Sequence, residues 1–508
     1  MTLKKYSSLT RQQLISEHNT LSFLAWSQYF ELFNRKLQLE HALSFSFFFI
    51  DSMSKEITND MIIQLEKSIR NILTTDIQIE SIEMKREDLI QLFTQKNMIE
   101  KIGIIKALNQ KKIDCIKCGE HIDYMLEPHS FDKKRLELFS IHKYLNGFAL
   151  CFPTQTNPME VLQWTEPAFL KNMISDYSSF VKTVGIETIS DLNNAIINHK
   201  IDQLKWAAES YHERKIYEIA GKICGNYEKK KVITIAGPSA SNKTTFAKRL
   251  QIALSGFGHD SILIEMDDYF VNVEDSPYDE EGNQDWESFD CINTPLLSER
   301  VNSLVLGKTV KRRKFDWEKG ISLDDPNEEL CLKEGGFLII EGIHGMNPKL
   351  IDSLGGKDKV SQIYIQPTSP IRIDHNHRFS CSDYRLIRRL TRDYFFRSFP
   401  PRSTIDIWTS VRVGEMNNIF PYQGNADYYF NSALFYEISV INMFAKSLLA
   451  DSSVPSATED SNTLNSQFLN NEAQRLSVLT NLFYPYQIEK VPHISCIREF
   501  VGGSDLKY

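Results

Sequence analysis

One loop constrains the fold of this chain more than any other feature. The short apolar run KVITIA, at 231–236, is followed by GPSASNKTT, at 237–245, and then by the helical sequence FAKRLQIAL. The pattern GxxxxGK[ST] of a phosphate-binding loop, or P-loop, is met at Gly237, Lys243 and Thr244, between a strand and a helix as such a loop requires. The chain is therefore predicted to contain an α/β fold whose first strand leads into a phosphate site.

Further apolar runs of the same kind follow the loop. They are SILIEM at 261–266, FLIIEG at 337–342 and QIYIQP at 362–367. Continuous apolar runs are typical of parallel strands that are buried on both faces, and helical segments lie between them. The pattern predicts a doubly wound parallel sheet over 229–450.

The remaining chain divides into blocks of different character. Helices are predicted near 57–74 and 86–95, and the dipeptide Asn146-Gly147 favours a tight hairpin turn. The segment from Asp451 to Glu472 is rich in Ser, Asn, Asp and Glu, which is typical of disorder. The predicted blocks are a helical extension at 1–40, a smaller α+β domain at 41–155, a helical connection at 156–228, a disordered linker at 451–475 and a C-terminal tail at 476–508.

Composition excludes several classes of protein. Acidic residues number 66 against 58 basic ones, so the formal net charge is −8, and bulk electrostatic binding to nucleic acid or an anionic membrane is not expected. The strongest apolar run, at 43–50, is far too short to span a membrane. Eight scattered cysteines and an N-terminus without a signal-peptide pattern indicate a reducing, cytoplasmic setting.

The residues of the P-loop have distinct expected roles. Lys243 would contact the β- and γ-phosphates, and Thr244 would bind Mg²⁺. Asn242 stands where the pattern has its second glycine; we expect it to adopt a positive φ, which Asn tolerates best among non-glycine residues, with lowered nucleotide affinity as one consequence. The predicted nucleotide-binding residues of the loop are Gly237, Ser239, Ser241, Asn242, Lys243, Thr244 and Thr245.

Carboxylates follow two of the predicted strands. Asp267 and Asp268 come after the second strand, where a carboxylate can accept a proton from an attacking hydroxyl or hold Mg²⁺; the alternative is a pair of solvated loop acids. Glu341 ends the strand FLII and is a candidate metal ligand, with a helix cap as the alternative.

A cluster of arginines follows in DYRLIRRLTRD, at 383–393. Arg385, Arg388, Arg389 and Arg392 are spaced to lie along one helix face, and Arg397 comes shortly after. Facing a phosphate loop, such a strip would clamp ATP and the transferring phosphoryl group. The alternative is a solvated face in which Asp383 and Asp393 pair with some of the arginines.

The motifs together resemble a known family. The ordered set GPSASNKTT, MDDYF, DWESFD, KFDWEKG, FLIIEGIHGMNP and DYRLIRRLTRDY is similar to the uridine kinase branch of the P-loop kinases, the phosphoribulokinase/uridine kinase family. The further segments IWTSVRVGE, IFPYQGNADYYFNSAL and IREFVGGS resemble a subgroup in which this kinase is fused behind a domain similar to the second additional domain of threonyl- and alanyl-tRNA synthetases. The resemblance implies ATP, Mg²⁺ and transfer of a phosphoryl group to the 5′-hydroxyl of a uridine- or cytidine-like nucleoside, as in pyrimidine salvage.

The resemblance also implies roles for single residues. Asp267 would be the catalytic base, with Lys243 and Arg388 as further catalytic groups. Where uridine kinases have a histidine that contacts the pyrimidine, this chain has Gly320, so the base preference is open. The implied substrate-binding residues are Asp267, Tyr269, Glu287, Phe315, Trp317 and Arg385; Arg389 and Arg392 would bind ATP, and Thr244 and Glu341 the metal.

The front domain gives a weaker signal. Its segment CGEHIDYMLEPHS resembles the synthetase editing module, and His129 matches one of its histidines. Met125 stands in place of the module's cysteine, and after His41 the second histidine is replaced by Phe45, so deacylation is not expected. Cys115 and Cys118 are interpreted as buried thiols in a strand, with a zinc site as the alternative.

Two classes of function remain open at this point. One is a nucleoside kinase, or a related kinase of a sugar or another small hydroxyl compound. The other is an ATP-gated binding module whose front domain contacts RNA or protein. The sequence leaves the preferred acceptor, the role of the front domain and homo-oligomer formation undetermined.

Overall fold

The computed structural model describes residues 8–43, 46–154, 157–166, 168–278, 282, 284–368, 371–454 and 463–507. The chain forms two compact units, and each is discontinuous in sequence. The front unit consists of Met1–Ile201, Ser369–Tyr384 and Ile438–Tyr486. The P-loop unit consists of Asp202–Thr368, Arg385–Glu437 and Gln487–Tyr508.

The elements are numbered in chain order. The strands are β1 Leu37–Leu43, β2 Ser46–Asp51, β3 Ile79–Lys85, β4 Lys112–Cys118, β5 His121–Tyr124, β6 Ser140–Tyr144, β7 Gly147–Cys151, β8 Val232–Ala236, β9 Ser261–Glu265, β10 Val310–Asp316, β11 Ile321–Leu330, β12 Phe337–Glu341, β13 Val360–Gln366 and β14 Tyr428–Asn431. The helices are α1 Ser8–Phe33, α2 Asn59–Thr74, α3 Arg86–Gln95, α4 Ile99–Ala107, α5 Lys133–Leu136, α6 Ala168–Val184, α7 Ile189–Ile197, α8 Ile201–Cys224, α9 Lys243–Gly256, α10 Thr294–Val305, α11 Pro348–Ser353, α12 Cys381–Arg397, α13 Pro401–Asn418, α14 Glu437–Ser452, α15 Leu464–Asn481 and α16 Arg498–Val501.

The P-loop unit is built on a parallel sheet. Its described strands run in the order β14-β13-β8-β12-β9, and each neighbouring pair is parallel. The four apolar runs of the sequence form β8, β9, β12 and β13, so the predicted α/β fold with a doubly wound parallel sheet is confirmed. Strand β14 and the separate β10-β11 hairpin were not predicted.

Apolar packing covers both faces of this sheet. On one face, side chains of α8 and α9 such as Ile216 and Leu250 pack against Ile233. On the other, Leu297 of α10 packs in a cluster with Leu338. Since these side chains are buried, each stabilises the sheet by about 1.5–3 kcal/mol, and the carboxyl ends of β8, β9 and β12 are held at one edge.

The front unit has antiparallel sheets. One has the order β1-β2-β7-β6 and another the order β3-β4-β5. Helices α2 and α3 agree with the two helices predicted for this region. The hairpin also forms, but its turn is one residue earlier than predicted: Tyr144 pairs with Gly147, and Leu145 has a φ of 49°. Gly147 begins strand β7, and only glycine fits there because a Cβ would be 1.9 Å from the carbonyl oxygen of Phe49.

A segment from the middle of the predicted kinase block belongs to the front unit. Lys101 forms ion pairs with Asp123 at 2.6 Å and with Asp374 at 3.4 Å, and all three side chains are almost fully buried. Tyr124 donates a hydrogen bond to Asp374, and Asn376 donates one to Asp123 at 3.1 Å. A buried charge must be paired, so this network ties 371–384 to the front unit, and the block predicted at 229–450 is interrupted there.

The predicted linker also differs from the structure. Part of it, 455–462, lies outside the described residues, but Leu464–Asn481 forms helix α15. Its Leu469, Ala473 and Leu476 are buried at helical spacing, a pattern that the polar composition of the segment obscured. Across the described part of the chain, no helix has the length and apolar character needed to cross a membrane.

Candidate functional site

The P-loop has the strand-loop-helix geometry that its sequence predicts. Strand β8 ends at Ala236 and helix α9 begins at Lys243. At Gly237 a Cβ would lie 2.1 Å from the carbonyl oxygen of Ile365, so only glycine fits there. Asn242 has φ 68° and ψ 33°, which confirms the expected positive φ, and Ala240 also has a positive φ of 56°.

Long-range contacts hold the loop in this conformation. The backbone N–H of Ser239 donates to Glu415 at 3.0 Å, and Arg389 donates to the Ser239 hydroxyl at 2.9 Å. Arg388 donates to the carbonyl oxygen of Ala240 at 3.1 Å. The side chain of Ser241 is buried within the loop. Positive φ values at non-glycine residues cost free energy, and these contacts offset it.

The candidate metal ligands meet at the start of α9. The hydroxyl of Thr244 donates to Glu341 at 2.7 Å, and Glu341 ends strand β12 beside β8. Burial, the first cause, raises the pKa of Glu341 to about 7; Glu265 and Asp267 raise it further, and Lys243 opposes the shift. Hydroxyl and carboxylate oxygens are ligands that Mg²⁺ prefers, and Mg²⁺ uses few protein ligands when phosphates supply the rest.

The residues therefore fit Mg²⁺ bound together with a nucleotide. A divalent cation would favour the ionised form of the buried Glu341 carboxyl. Among the described residues, no cluster of three or more His, Cys, Asp or Glu side chains has the arrangement of a metal site, so a cation here would depend on phosphate oxygens.

Asp267 and Asp268 follow strand β9 but have different surroundings. Asp268 accepts the backbone N–H of Phe315 at 3.2 Å, which fixes strand β10 beside it. The side chain of Asp267 is solvent-accessible. Partial desolvation by the surrounding protein raises its pKa, and the positive charges of Lys243, Arg397 and Arg392 oppose that rise. Asp267 is therefore accessible for proton exchange, whereas Asp268 has a structural contact with the backbone of strand β10.

Aromatic rings form a cluster next to these acids. Phe315 lies 4.8 Å from Trp317 and 5.9 Å from Phe270, measured between ring centroids, and Trp286 is 6.1 Å from Trp317. Trp317 is 64% exposed, whereas Tyr269 is buried in the apolar core. The predicted substrate residues Phe315 and Trp317 are thus brought together, and Tyr269 lies in the same apolar cluster as Phe315.

Gly320 is required by the backbone of this cluster. Its φ is 66°, and a Cβ would lie 2.3 Å from a methyl carbon of Val273. Its N–H donates to the carbonyl oxygen of Asp316, and its own carbonyl oxygen accepts from the N–H of Val273. A histidine side chain at this position is therefore incompatible with this local fold.

Glu287 and Arg385 are linked by a residue that the sequence did not single out. Arg385 forms a buried pair with Glu415, at 2.6 Å between Nη2 and Oε2, and Arg412 donates to the same carboxylate. A Cβ on Gly414 would contact the side chain of Glu287. Burial raises the pKa of Glu287 to about 7, and the charge of Glu415 adds to the shift.

The arginine strip is used mainly to support the loop. Arg388 is fully buried and paired with Glu437, at 2.7 Å between Nη2 and Oε2, and also donates to the carbonyl oxygen of Ser432. This does not match the predicted catalytic role of Arg388, because its guanidinium is directed to Glu437 and to loop carbonyls. Arg389 is paired with Asp393 at 3.0 Å.

The other arginine contacts differ between positions. Arg392 lies 3.4 Å from Glu499, and Arg397 lies 3.5 Å from Asp393. The sequence-based alternative of arginines paired with local acids therefore holds in part for Asp393. Asp383 pairs instead with Arg475 of the front unit, at 2.6 Å.

Sequence reasoning missed three acids that organise the site. Glu415 and Glu499 each contact an arginine and a residue of the P-loop region, and Glu437 holds Arg388, which donates to the loop. All three acids follow the loop by well over a hundred residues. Glu415 and Glu499 lie in the motifs VRVGE and IREFVGGS, so the resemblance carried a signal for them. Nothing in the local sequence indicated their partners.

The weaker candidates of the front unit are dispersed through it. Cys115 and Cys118 lie buried in strand β4, as interpreted from the sequence, and burial raises the pKa of the Cys115 thiol to about 12. Burial lowers the pKa of both His129 and His41 to about 4. Phe45 lies outside the described residues.

Comparison with known proteins agrees with the geometry. Residues 232–376 match the family model described as the phosphoribulokinase / uridine kinase family. This part of the chain is a domain of that family. A uridine kinase of Halobacterium salinarum is 22% identical over 197 residues, which cover 38% of this chain and 77% of the relative. A uridine kinase of Ligilactobacillus salivarius is 28% identical over 188 residues, which cover 37% of this chain and 78% of that relative.

The front part of the chain is similar to a different enzyme. A threonine–tRNA ligase of Sulfurihydrogenibium is 32% identical over 116 residues, 22% of this chain and only 17% of the ligase. A solved structure described as a possible uridine kinase of Bacillus stearothermophilus is 19% identical over 28% of this chain and 78% of its own, with a TM-score of 0.24. That score is too low to support an argument, so the fold assignment rests on the sheet itself. The family of the uridine kinase-like domain supports a phosphotransferase.

Proposed function

We propose that the protein transfers the γ-phosphoryl group of ATP to the 5′-hydroxyl of a nucleoside. The observation that carries this proposal is the 2.7 Å contact between Thr244 and Glu341 inside a correctly formed P-loop, with Asp267 in the field of Lys243. A lysine, a hydroxyl and two acids at one sheet edge are the groups that phosphoryl transfer needs.

The proposed chemistry divides among residues of the P-loop unit. Loop N–H groups and Lys243 bind the phosphates, and Thr244 and Glu341 would hold Mg²⁺, which neutralises phosphate charge when bound. Asp267 accepts the proton of the nucleoside 5′-hydroxyl while the oxygen of that hydroxyl forms a bond to the γ-phosphorus. The bond from that phosphorus to the bridging oxygen breaks, and ADP leaves with the electron pair.

The acceptor side of the site supports a nucleoside. The exposed Trp317 side chain beside Phe315 suits stacking with a base, and we assign Glu287 to the ribose hydroxyls. With a pKa of about 7, the Glu287 carboxyl can donate or accept a hydrogen bond near neutral pH. We assign this activity to the cytoplasm and to pyrimidine salvage.

The test is ADP release with ATP, Mg²⁺ and a panel of nucleosides. We expect at least one nucleoside to stimulate turnover, Asp267→Asn to abolish most of it, and Asp268→Asn to retain most of it. Asp268→Asn is the matched control because an amide oxygen can still accept the N–H of Phe315. No stimulation by any nucleoside would refute the proposal, and ATP-dependent capture of RNA or protein without turnover would then favour an ATP-gated binding module.

A second acceptor class is favoured by Gly320. Because this position is a glycine, with the Val273 side chain where a Cβ would be, the base contact that uridine kinases make from this position is missing. Phosphorylation of a sugar or another small hydroxyl compound remains the alternative kinase reaction. Competition between such compounds and nucleosides for turnover separates the two.

A further inference from the structure

The C-terminal segment of the P-loop unit reaches the phosphate loop. The side-chain amide of Asn242 donates to the carbonyl oxygen of Cys496 at 2.9 Å and to Glu499 Oε2 at 3.1 Å. The hydroxyl of Thr245, in the first turn of α9, donates to the same carboxylate. Farther along α9, Lys248 donates to the carbonyl oxygen of Lys507. The segment thus contacts the loop and the helix that together form the phosphate site.

Glu499 is held firmly within this segment. Arg498 is 6% exposed and donates to the carbonyl oxygens of Ile488 at 2.9 Å and Gly502 at 3.2 Å, which closes a turn around Glu499. Phe500 is fully buried, with the Arg388 guanidinium 4.9 Å from its ring centroid. Because its neighbours on both sides are anchored, Glu499 is presented to Asn242 in a fixed position.

A carboxylate so close to a phosphate site requires an explanation. Its charge disfavours an anionic ligand, and the nearby Arg392, at 3.4 Å, offsets this only in part because the contact is long. Asn242, one of the residues that donate to this carboxylate, is the residue that replaces a glycine and has a left-handed backbone. Glycine adopts that conformation at no steric cost, whereas asparagine needs support.

We propose that Glu499 is a positioning residue that holds Asn242 in its left-handed conformation, so that the loop N–H groups stay directed at the phosphates. The C-terminal segment is then a working part of the nucleotide site, and nucleotide binding and docking of the segment stabilise each other. This inference deepens the proposed function and rests on its nucleotide site.

The test is a double-mutant cycle on the dissociation constant for Mg·ADP, measured by calorimetry on the full chain without any acceptor. Glu499→Ala is expected to weaken binding about tenfold, because that is the change in affinity expected when a hydrogen bond to a charged group is lost. In the Asn242→Gly background the same substitution should cost less than about twofold, since glycine needs no anchor. Equal losses in both backgrounds would overturn the inference.

Two further variants sharpen the test. Glu499→Gln keeps an oxygen that can accept from Asn242, so binding should stay within about threefold of the unmodified protein. The matched control is Glu489→Ala, which removes an exposed acid from the same segment and should leave binding unchanged. A loss with Glu489→Ala as large as with Glu499→Ala would contradict the proposal.

Hydrogen exchange gives a readout that needs neither turnover nor ligand. Glu499→Ala should speed exchange of the amides at 239–245, and Glu489→Ala should not. With nucleotide present, the amides at 495–503 should become more protected in the unmodified protein. If no nucleoside is phosphorylated but these results hold, the proposed kinase reaction fails and the positioning role stands; unchanged loop exchange in Glu499→Ala refutes the positioning role.

Discussion

Glu341 is expected to make Mg·nucleotide binding depend on pH. Its pKa is raised to about 7, chiefly by burial, so the carboxyl is neutral below that pH and ionised above it. The ionised fraction is roughly one tenth at pH 6 and roughly nine tenths at pH 8. If Mg²⁺ binds only the ionised form, affinity for Mg·ADP should rise about tenfold between these values.

The comparison that isolates this effect is the Glu341→Gln variant. Glutamine can still accept the Thr244 hydroxyl but cannot ionise, so its affinity should be lower at pH 8 and should lack the Glu341 part of the pH dependence. Calorimetric titration of both proteins at pH 6, 7 and 8 measures how much more the affinity of the unmodified protein changes with pH. The effects of other titrating groups, such as Glu287, cancel in this comparison. The reasoning is refuted if affinity changes with pH to the same extent in both proteins.

Three further outcomes are expected. Asp267→Asn should lower kcat about 10²- to 10⁴-fold while the dissociation constant for ADP stays within about threefold, because the base acts on the acceptor; a loss confined to ADP binding would contradict this. Trp317→Ala should raise the KM for nucleoside about tenfold and leave the KM for ATP unchanged. Steady-state assays in which each substrate is varied measure both constants, and an unchanged KM for nucleoside would argue against the stacking role. Arg388→Met should lower the free energy of unfolding by about 3–5 kcal/mol because it breaks a fully buried ion pair with Glu437, whereas loss of the exposed pair at Arg214 should lower it by at most about 1 kcal/mol. Urea titrations followed by fluorescence compare the two variants, and equal costs would argue against a supporting role for Arg388.

Local sequence was sufficient for the central sheet and the loop. The runs that became β8 and β12 are almost wholly apolar because both faces of these strands are buried, and the runs of β9 and β13 are apolar enough to show the same signal. The positive φ of Asn242 was predictable for a similar reason, since the P-loop requires it and few residue types tolerate it. Strand β14 was missed because it is short and continues a polar segment, GNADYYFN.

The partners of the charged side chains could not be predicted from the local sequence. An arginine-rich helix is equally consistent with a solvated face, a phosphate clamp and buried ion pairs. Only the fold shows that Arg388 and Arg385 are almost fully buried against Glu437 and Glu415. The polar composition of 463–472 likewise hid helix α15, because several of its buried positions, such as Ser466 and Glu472, are themselves polar.

The family match ends at residue 376, yet much of what shapes the P-loop lies beyond it. Glu415 accepts the N–H of Ser239, Arg388 donates to the carbonyl oxygen of Ala240, and Glu499 accepts from Asn242. Two of these loop residues have positive φ values without being glycine, so contacts from these later segments offset part of the free-energy cost of the loop conformation. The nucleotide site of this chain is therefore assembled from the matched domain together with the segments that follow it, up to the C-terminal residues around Glu499.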